Sequence, residues 1–235
     1  MTDAATYHAA DSHLKESACW LEATPHDLLR VLGAADLVSS TPLPEWAYAS
    51  LERAPLVVVR RARECHGLIP VGIRGAARNQ RVSAWLPSLA AQQQIKPEHI
   101  SATRAWQSTD ELLNSSVRWT LSHVSDLLQN FGFIWGPTGS IAFQLATGIA
   151  TAVASGDLDI LVRVPDRLST SEAWLIRDSL IRMPVRVDMQ VETPFGAVAL
   201  DEYARAGKTI LLRTLDGPRL VSDGWQATAG GIGKV

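Results

Sequence analysis

The sequence Gly136-Pro137-Thr138-Gly139-Ser140, followed by an uncharged stretch and then by Asp157-Leu158-Asp159, decides the fold of this chain. A Gly-Ser turn at the start of a helix can bind phosphate through backbone N–H groups and a hydroxyl. Two carboxylates at positions i and i+2 of a strand project to one face, where they can hold one Mg²⁺ ion. Because transfer of a phosphate-containing group needs both aids, the stretch predicts chemistry of the nucleotidyl-transfer type.

The residues around the two aspartates alternate as in a half-buried strand. Asp157, Asp159 and Arg163 fall on one face, and Leu158, Ile160, Val162 and Val164 fall on the other. A second segment, 185–192, alternates in the same way and adds Asp188 to the polar set. We therefore predict that Asp157, Asp159 and Asp188 are catalytic and bind Mg²⁺. Gly139, Ser140 and Arg163 are predicted to contact the substrate.

The order of these elements is more informative than the D-x-D motif alone, which more often lies on a solvated strand edge. A Gly-Ser turn, a helix, a D-x-D strand and a later strand with one central Asp together resemble the core of the nucleotidyltransferases. This resemblance implies a mixed sheet with flanking helices. Two alternatives stay open: a nucleotidyltransferase with another hydroxyl acceptor, and a non-catalytic nucleotide-binding module of the same fold. The three intact aspartates count against the second.

Longer motifs in both halves carry a closer resemblance. They include Gly139-Ser140, Ser155-Gly156-Asp157-Leu158-Asp159 and Ile69-Pro70-Val71-Gly72-Ile73-Arg74-Gly75, with further matches at 25–29, 55–61, 78–81, 143–148, 196–203 and 211–221. The chain resembles the phosphoribosyl-dephospho-CoA transferases of malonate decarboxylase. The resemblance implies an enzyme that attaches triphosphoribosyl-dephospho-CoA to a serine of the malonate decarboxylase acyl carrier protein and releases pyrophosphate. It also implies that the two catalytic aspartates of the family correspond to Asp157 and Asp159.

A dense basic segment lies in the N-terminal half. Between positions 60 and 81 a single acid, Glu64, accompanies the arginines Arg60, Arg61, Arg63, Arg74, Arg78 and Arg81. A guanidinium group can bind phosphate through two parallel hydrogen bonds. We predict that Arg74, Arg78 and Arg81 contact the substrate. Docking of an acidic carrier protein and an ordinary solvated basic face are the alternatives.

The order of the elements predicts an α+β protein. The 235 residues, 46% of them hydrophobic, suffice for two modest domains or one large one. We expect a smaller N-terminal α+β domain at 21–95 and a nucleotidyltransferase-like domain at 105–226, between a frayed start at 1–20 and a flexible tail at 227–235. The boundary is placed between about 85 and 105, where Pro87, the glutamines at 92–94 and Pro97 cluster. The net charge of −2 argues against a general nucleic-acid binder. Gly, Pro and polar residues interrupt the uncharged stretch, which favours a buried element over a membrane span. Two cysteines in dissimilar contexts, Cys19 and Cys65, and the lack of a leader pattern favour the cytoplasm.

Periodicity also predicts individual elements. Helices are expected at 26–37, 45–52 and 107–130, and strands at 56–60 and 68–73. Of the histidines, His26 and His66 are the candidates for acid–base chemistry, although a lone histidine is more often a surface or capping residue.

Overall fold

A computed structural model describes residues 22–77, 79–108, 112–150, 156–205 and 209–226. Short 3-10 turns cover Ala34–Asp36, Ser88–Ala90 and Ala105–Gln107. The N-terminal half contains β1 (Leu28–Arg30), α1 (Glu45–Arg53), β2 (Leu56–Val59), β3 (Leu68–Arg74), β4 (Arg81–Pro87), β5 (Gln93–Ile95) and α2 (Pro97–Thr103). The C-terminal half contains α3 (Ser115–Asn130), β6 (Ile134–Pro137), α4 (Gly139–Thr147), β7 (Leu158–Arg163), α5 (Thr170–Ile181), β8 (Val187–Thr193), β9 (Gly196–Ala199), α6 (Leu200–Ala204), β10 (Ile210–Thr214) and β11 (Gly217–Val221). The α+β class is thus confirmed.

The N-terminal sheet has the order β4-β3-β2-β1-β5, and every neighbouring pair in it is antiparallel. Its two faces pack against different partners, because successive side chains alternate between them. Leu29, Val57 and Val71 lie in a cluster with Ala47 and Leu51 of α1. The opposite face packs against α2 and α4 through the cluster of Leu28, Leu56, Ile100 and Ala142.

The C-terminal sheet has the order β11-β10-β9-β8-β7-β6 and is mixed, since β7 and β8 are parallel while the other pairs are antiparallel. The predicted alternation in β7 is confirmed: Leu158, Ile160 and Val162 are buried in the core, whereas Asp159 and Arg163 lie half-buried on the other face. The crossover from β7 to β8 contains α5. Its first turn is fixed by a capping box between Ser169 and Glu172.

Helix α2 packs closely against β6 of the C-terminal sheet. A Cβ atom at Gly136 would lie 1.9 Å from the carbonyl oxygen of Pro97, so no larger residue fits there without a shift of backbone. None of the helices in the described part of the chain has both the length and the apolar composition that a membrane crossing requires.

The helix predicted at 26–37 is wrong, because this segment forms β1 and a 3-10 turn. Asp27, at the start of the predicted helix, does not cap a helix. Instead its buried carboxylate accepts hydrogen bonds from the backbone and hydroxyl of Thr24 and from Gln94, which closes a tight turn before the strand. The helix predicted at 107–130 begins later, at Ser115, because Asn114 caps it through a bond from the Val117 N–H.

The helix at 45–52 and the strands at 56–60 and 68–73 are confirmed within one or two residues at their ends, whereas β4 and β5 were not expected. The stretch 85–105, predicted to link two domains, contains β5 and α2. We keep the two-domain division as a proposal. The segments 1–20 and 227–235 lie outside the described residues.

Candidate active site

The turn between β6 and α4 is attached to the D-x-D strand through Asp159. The Thr138 N–H donates a 2.8 Å hydrogen bond to the Asp159 backbone oxygen. Gly139 follows with φ of +65°, and a Cβ atom there would lie 2.0 Å from Oδ2 of Asp159. Both the backbone conformation and the available space therefore require glycine at this position. The carboxylate of Asp159 lies directly against the first turn of α4.

Three carboxylates meet at the start of the parallel pair. Asp188 stands opposite Asp159 in the β7–β8 register, and Asp157 immediately precedes β7. Burial raises the pKa of Asp159 most, the Asp188 carboxylate raises it further, and Asp157 adds to the shift. The chain has thus gathered negative charges that repel one another, which favours a cation at this place.

The donor set of this cluster fits Mg²⁺. Within the described ranges, no three His, Cys, Asp or Glu residues are arranged to hold a metal ion by themselves. However, Mg²⁺ in phosphate-transfer sites is usually bound by one or two carboxylates and completes its shell with substrate phosphates and water. Asp157 and Asp159 can supply such ligands. Asp157 also lies 3.6 Å from the exposed guanidinium of Arg186, a pairing that the sequence reasoning missed although Arg186 alternates on the same strand face as Asp188.

Two arginines of the N-terminal sheet face the carboxylates. Arg74 and Arg81 are direct partners in the β3–β4 register. The pKa of Arg74 is lowered by burial and then by the charge of Arg81, while Asp159 counteracts this shift. In turn, both arginines lower the pKa of Asp159. The third predicted arginine, Arg78, lies outside the described residues.

The other residues predicted to contact the substrate, Ser140 and Arg163, lie in different parts of the structure. Ser140 and Asp157 line a cavity of about 180 Å³ whose apolar wall includes Leu113 and Val117. Arg163 instead contacts the N-terminal half: its guanidinium donates to the Glu98 carboxylate and to the Thr24 hydroxyl. Substrate binding by Arg163 stays a prediction.

Of the two histidines, His26 is half-buried within electrostatic reach of Arg61 and Glu192, and His66 lies exposed in the loop before β3. His26 has φ of +76°, an uncommon value for a residue other than glycine. Its pKa is lowered to about 4, chiefly by burial and then by Arg61. The imidazole is therefore neutral at pH 7.

Comparison with known proteins shows to which family the chain belongs. The description "Phosphoribosyl-dephospho-CoA transferase MdcG C-terminal domain" matches residues 76–224, and the corresponding N-terminal domain matches residues 24–97. The chain belongs to the phosphoribosyl-dephospho-CoA transferase family. It is therefore an enzyme of the transferase class, as the resemblance implied.

Relatives named phosphoribosyl-dephospho-CoA transferase cover almost the same length. The protein of Pseudomonas putida is 40% identical over 203 residues, which is 86% of this chain and 94% of the relative. That of Azotobacter vinelandii is 37% identical over 205 residues, 87% of this chain and 95% of the relative. That of Pseudomonas aeruginosa is 34% identical over 203 residues, which is 86% of this chain and 93% of the relative. No solved structure matches the chain significantly.

Proposed function

We propose that the protein transfers the prosthetic group from triphosphoribosyl-dephospho-CoA to a serine of the apo acyl carrier protein of malonate decarboxylase and releases pyrophosphate. The relatives are named for transfer of phosphoribosyl-dephospho-CoA. The observation that best supports this type of reaction is the position of Asp159. Its carboxylate lies against the first turn of α4, beside two further carboxylates and opposite two arginines of the other sheet.

The proposed reaction is an in-line substitution at phosphorus. The serine oxygen attacks the α-phosphorus of the donor, and the bond from that phosphorus to the β-phosphate oxygen breaks. Pyrophosphate leaves with the electron pair of this bond. We assign the serine proton to Asp188, which is exposed to solvent beside Asp159.

The remaining groups bind and orient the phosphates. The first N–H groups of α4 and the Ser140 hydroxyl are donors at a helix N-terminus, where negative charge is favoured. Arg74 and Arg81 stabilise the charge that develops on the departing pyrophosphate. Asp157 and Asp159 would hold Mg²⁺, which when bound neutralises phosphate charge during the transfer.

The function is tested by incubating the protein with apo carrier protein, the donor and Mg²⁺, and by following carrier mass together with released pyrophosphate. We expect one prosthetic group per carrier and one pyrophosphate per group attached. A carrier whose acceptor serine is replaced by alanine serves as the control and should remain unmodified. Absence of transfer to the wild-type carrier would overturn the proposed function and favour another hydroxyl acceptor.

A further inference from the structure

The arginines at the end of β2 differ in their partners. Arg61 forms two hydrogen bonds of 2.7 and 2.6 Å with the Glu192 carboxylate of β8. Arg63 pairs with Asp216 in the turn between β10 and β11. Arg60 is exposed, and across the described residues it has no acidic partner or hydrogen-bonded side chain. Two of the three arginines thus attach the loop to the C-terminal sheet, and the third is available to a ligand.

Arg60 shares a face of the N-terminal sheet with Arg74 and Arg81. The Arg60 N–H donates a hydrogen bond to the Pro70 oxygen, which continues the β2–β3 register that pairs Val58 with Gly72. In the β3–β4 register, Arg74 pairs with Arg81. Alternation along the strands therefore points the three arginine side chains to one side. The side chain of Arg60 lies over Gly72, since a Cβ atom there would be 3.7 Å from its Cγ and Cδ. We call Arg60, Arg74 and Arg81 the basic strip.

The three positive charges of the basic strip favour binding of an anion with more than one phosphate group. Like charges directly opposite each other on a sheet are destabilising, and Arg74 and Arg81 are such a pair. These two lie within electrostatic reach of Asp159, where the reacting phosphates are proposed to bind. The Arg60 side chain lies over Gly72, which is two positions from Arg74 along β3. This separation corresponds to roughly 6.6 Å at about 3.3 Å per residue. The strip thus extends beyond the reacting centre.

We infer that Arg60 binds the internal diphosphate of the dephospho-CoA part of the donor, in a subsite separate from the one that holds the reacting triphosphate. The inference rests on the proposed function. Dephospho-CoA joins adenosine to pantetheine through a diphosphate that is chemically unchanged by the transfer. An exposed guanidinium without a carboxylate partner suits such a group, because it can donate two parallel hydrogen bonds to phosphate oxygens.

Calorimetric titration with dephospho-CoA alone tests this subsite, because this probe carries the diphosphate but lacks the reacting triphosphate. Arg60→Gln should weaken its binding roughly tenfold to a hundredfold, the effect of losing a charge-assisted contact. Arg60→Lys should give a smaller loss, because the charge remains without the planar fork. The matched control is Arg63→Gln, which removes the same charge from the same loop and should leave the affinity for dephospho-CoA unchanged.

Transfer kinetics give a second readout. Since the diphosphate carries the same charge before and during the reaction, Arg60→Gln should raise KM for the donor and leave kcat nearly unchanged. Unchanged affinity for dephospho-CoA in Arg60→Gln would overturn the inference, and a raised KM for the carrier protein in that case would assign the strip to the carrier. The titration needs no turnover, so a failure of the proposed transfer reaction would be seen separately from a failure of this subsite.

Discussion

The carboxylate of Asp159 lies half-buried beside Asp157 and Asp188, and its ionised form is therefore unfavourable in the folded protein. Because the pKa of Asp159 is raised above its unfolded value, ionisation weakens the fold. This penalty is absent below the unfolded pKa and fully present once the pH exceeds the folded pKa. Such a conflict between stability and charge is typical of catalytic groups.

We expect Asp159→Asn to raise Tm at pH 7 in the absence of metal, because it removes the buried negative charge. Added Mg²⁺ should raise Tm of the wild type and have less effect on the variant, since a ligand that binds only the folded state stabilises it. Thermal unfolding with and without Mg²⁺ measures both effects. Asp178→Asn, at an exposed carboxylate paired with Arg182, is the control. A lower Tm for Asp159→Asn without metal would contradict this account.

At the scale of elements, the contact between α2 and β6 fixes how the two halves meet. The backbone of Gly136 touches the first residue of α2, Pro97, so the missing side chain is what allows the approach. Beside it, the Ser101 hydroxyl donates a hydrogen bond to the Trp135 oxygen. Gly136 lies in β6, directly before the turn that contains Gly139. The contact with α2 therefore supports the position of the active-site turn.

Gly136→Ala should lower the free energy of unfolding by about 1–3 kcal/mol, as overpacking usually does, because two backbones must separate. Urea unfolding of the whole protein measures the change. The control is Gly33→Ala: its φ is 172°, which any residue adopts, and no atom lies within 4 Å of the added Cβ. Equal stability of Gly136→Ala and the wild type would show that the approach of α2 is not constrained.

Elements with clear periodicity could be predicted from sequence, and those fixed by tertiary contacts could not. The alternation around Asp157 and Asp159 correctly gave the faces of β7. By contrast, β1 has only three residues, and its conformation depends on pairing with β2 and β5. The period-2 alternation of Val82, Ala84 and Leu86 in β4 is a strand signal, but it directly follows the arginine cluster.

At the scale of the whole molecule, the candidate site is composite. The carboxylates and the α4 turn come from the C-terminal half, and Arg74 and Arg81 come from the N-terminal sheet. The Arg61–Glu192 pair and the contacts of Arg163 join the halves at the opposite end of β7 and β8. The sequence predicted both residue sets, each from its own motif. Their meeting could not be predicted, because nothing in the local sequence of β3 indicates which surface its hairpin will face.

The most direct test of a composite site is the rate of prosthetic-group transfer to apo carrier protein for Asp159→Ala and Arg74→Gln, each measured beside the wild type. Loss of a metal ligand should reduce kcat roughly a thousandfold, and loss of the arginine from the opposite sheet should reduce it roughly a hundredfold. Arg182→Gln, at an exposed arginine directly after α5, should retain the wild-type rate. A wild-type rate in Asp159→Ala would contradict the site itself, and a wild-type rate in Arg74→Gln would contradict its assembly from both sheets.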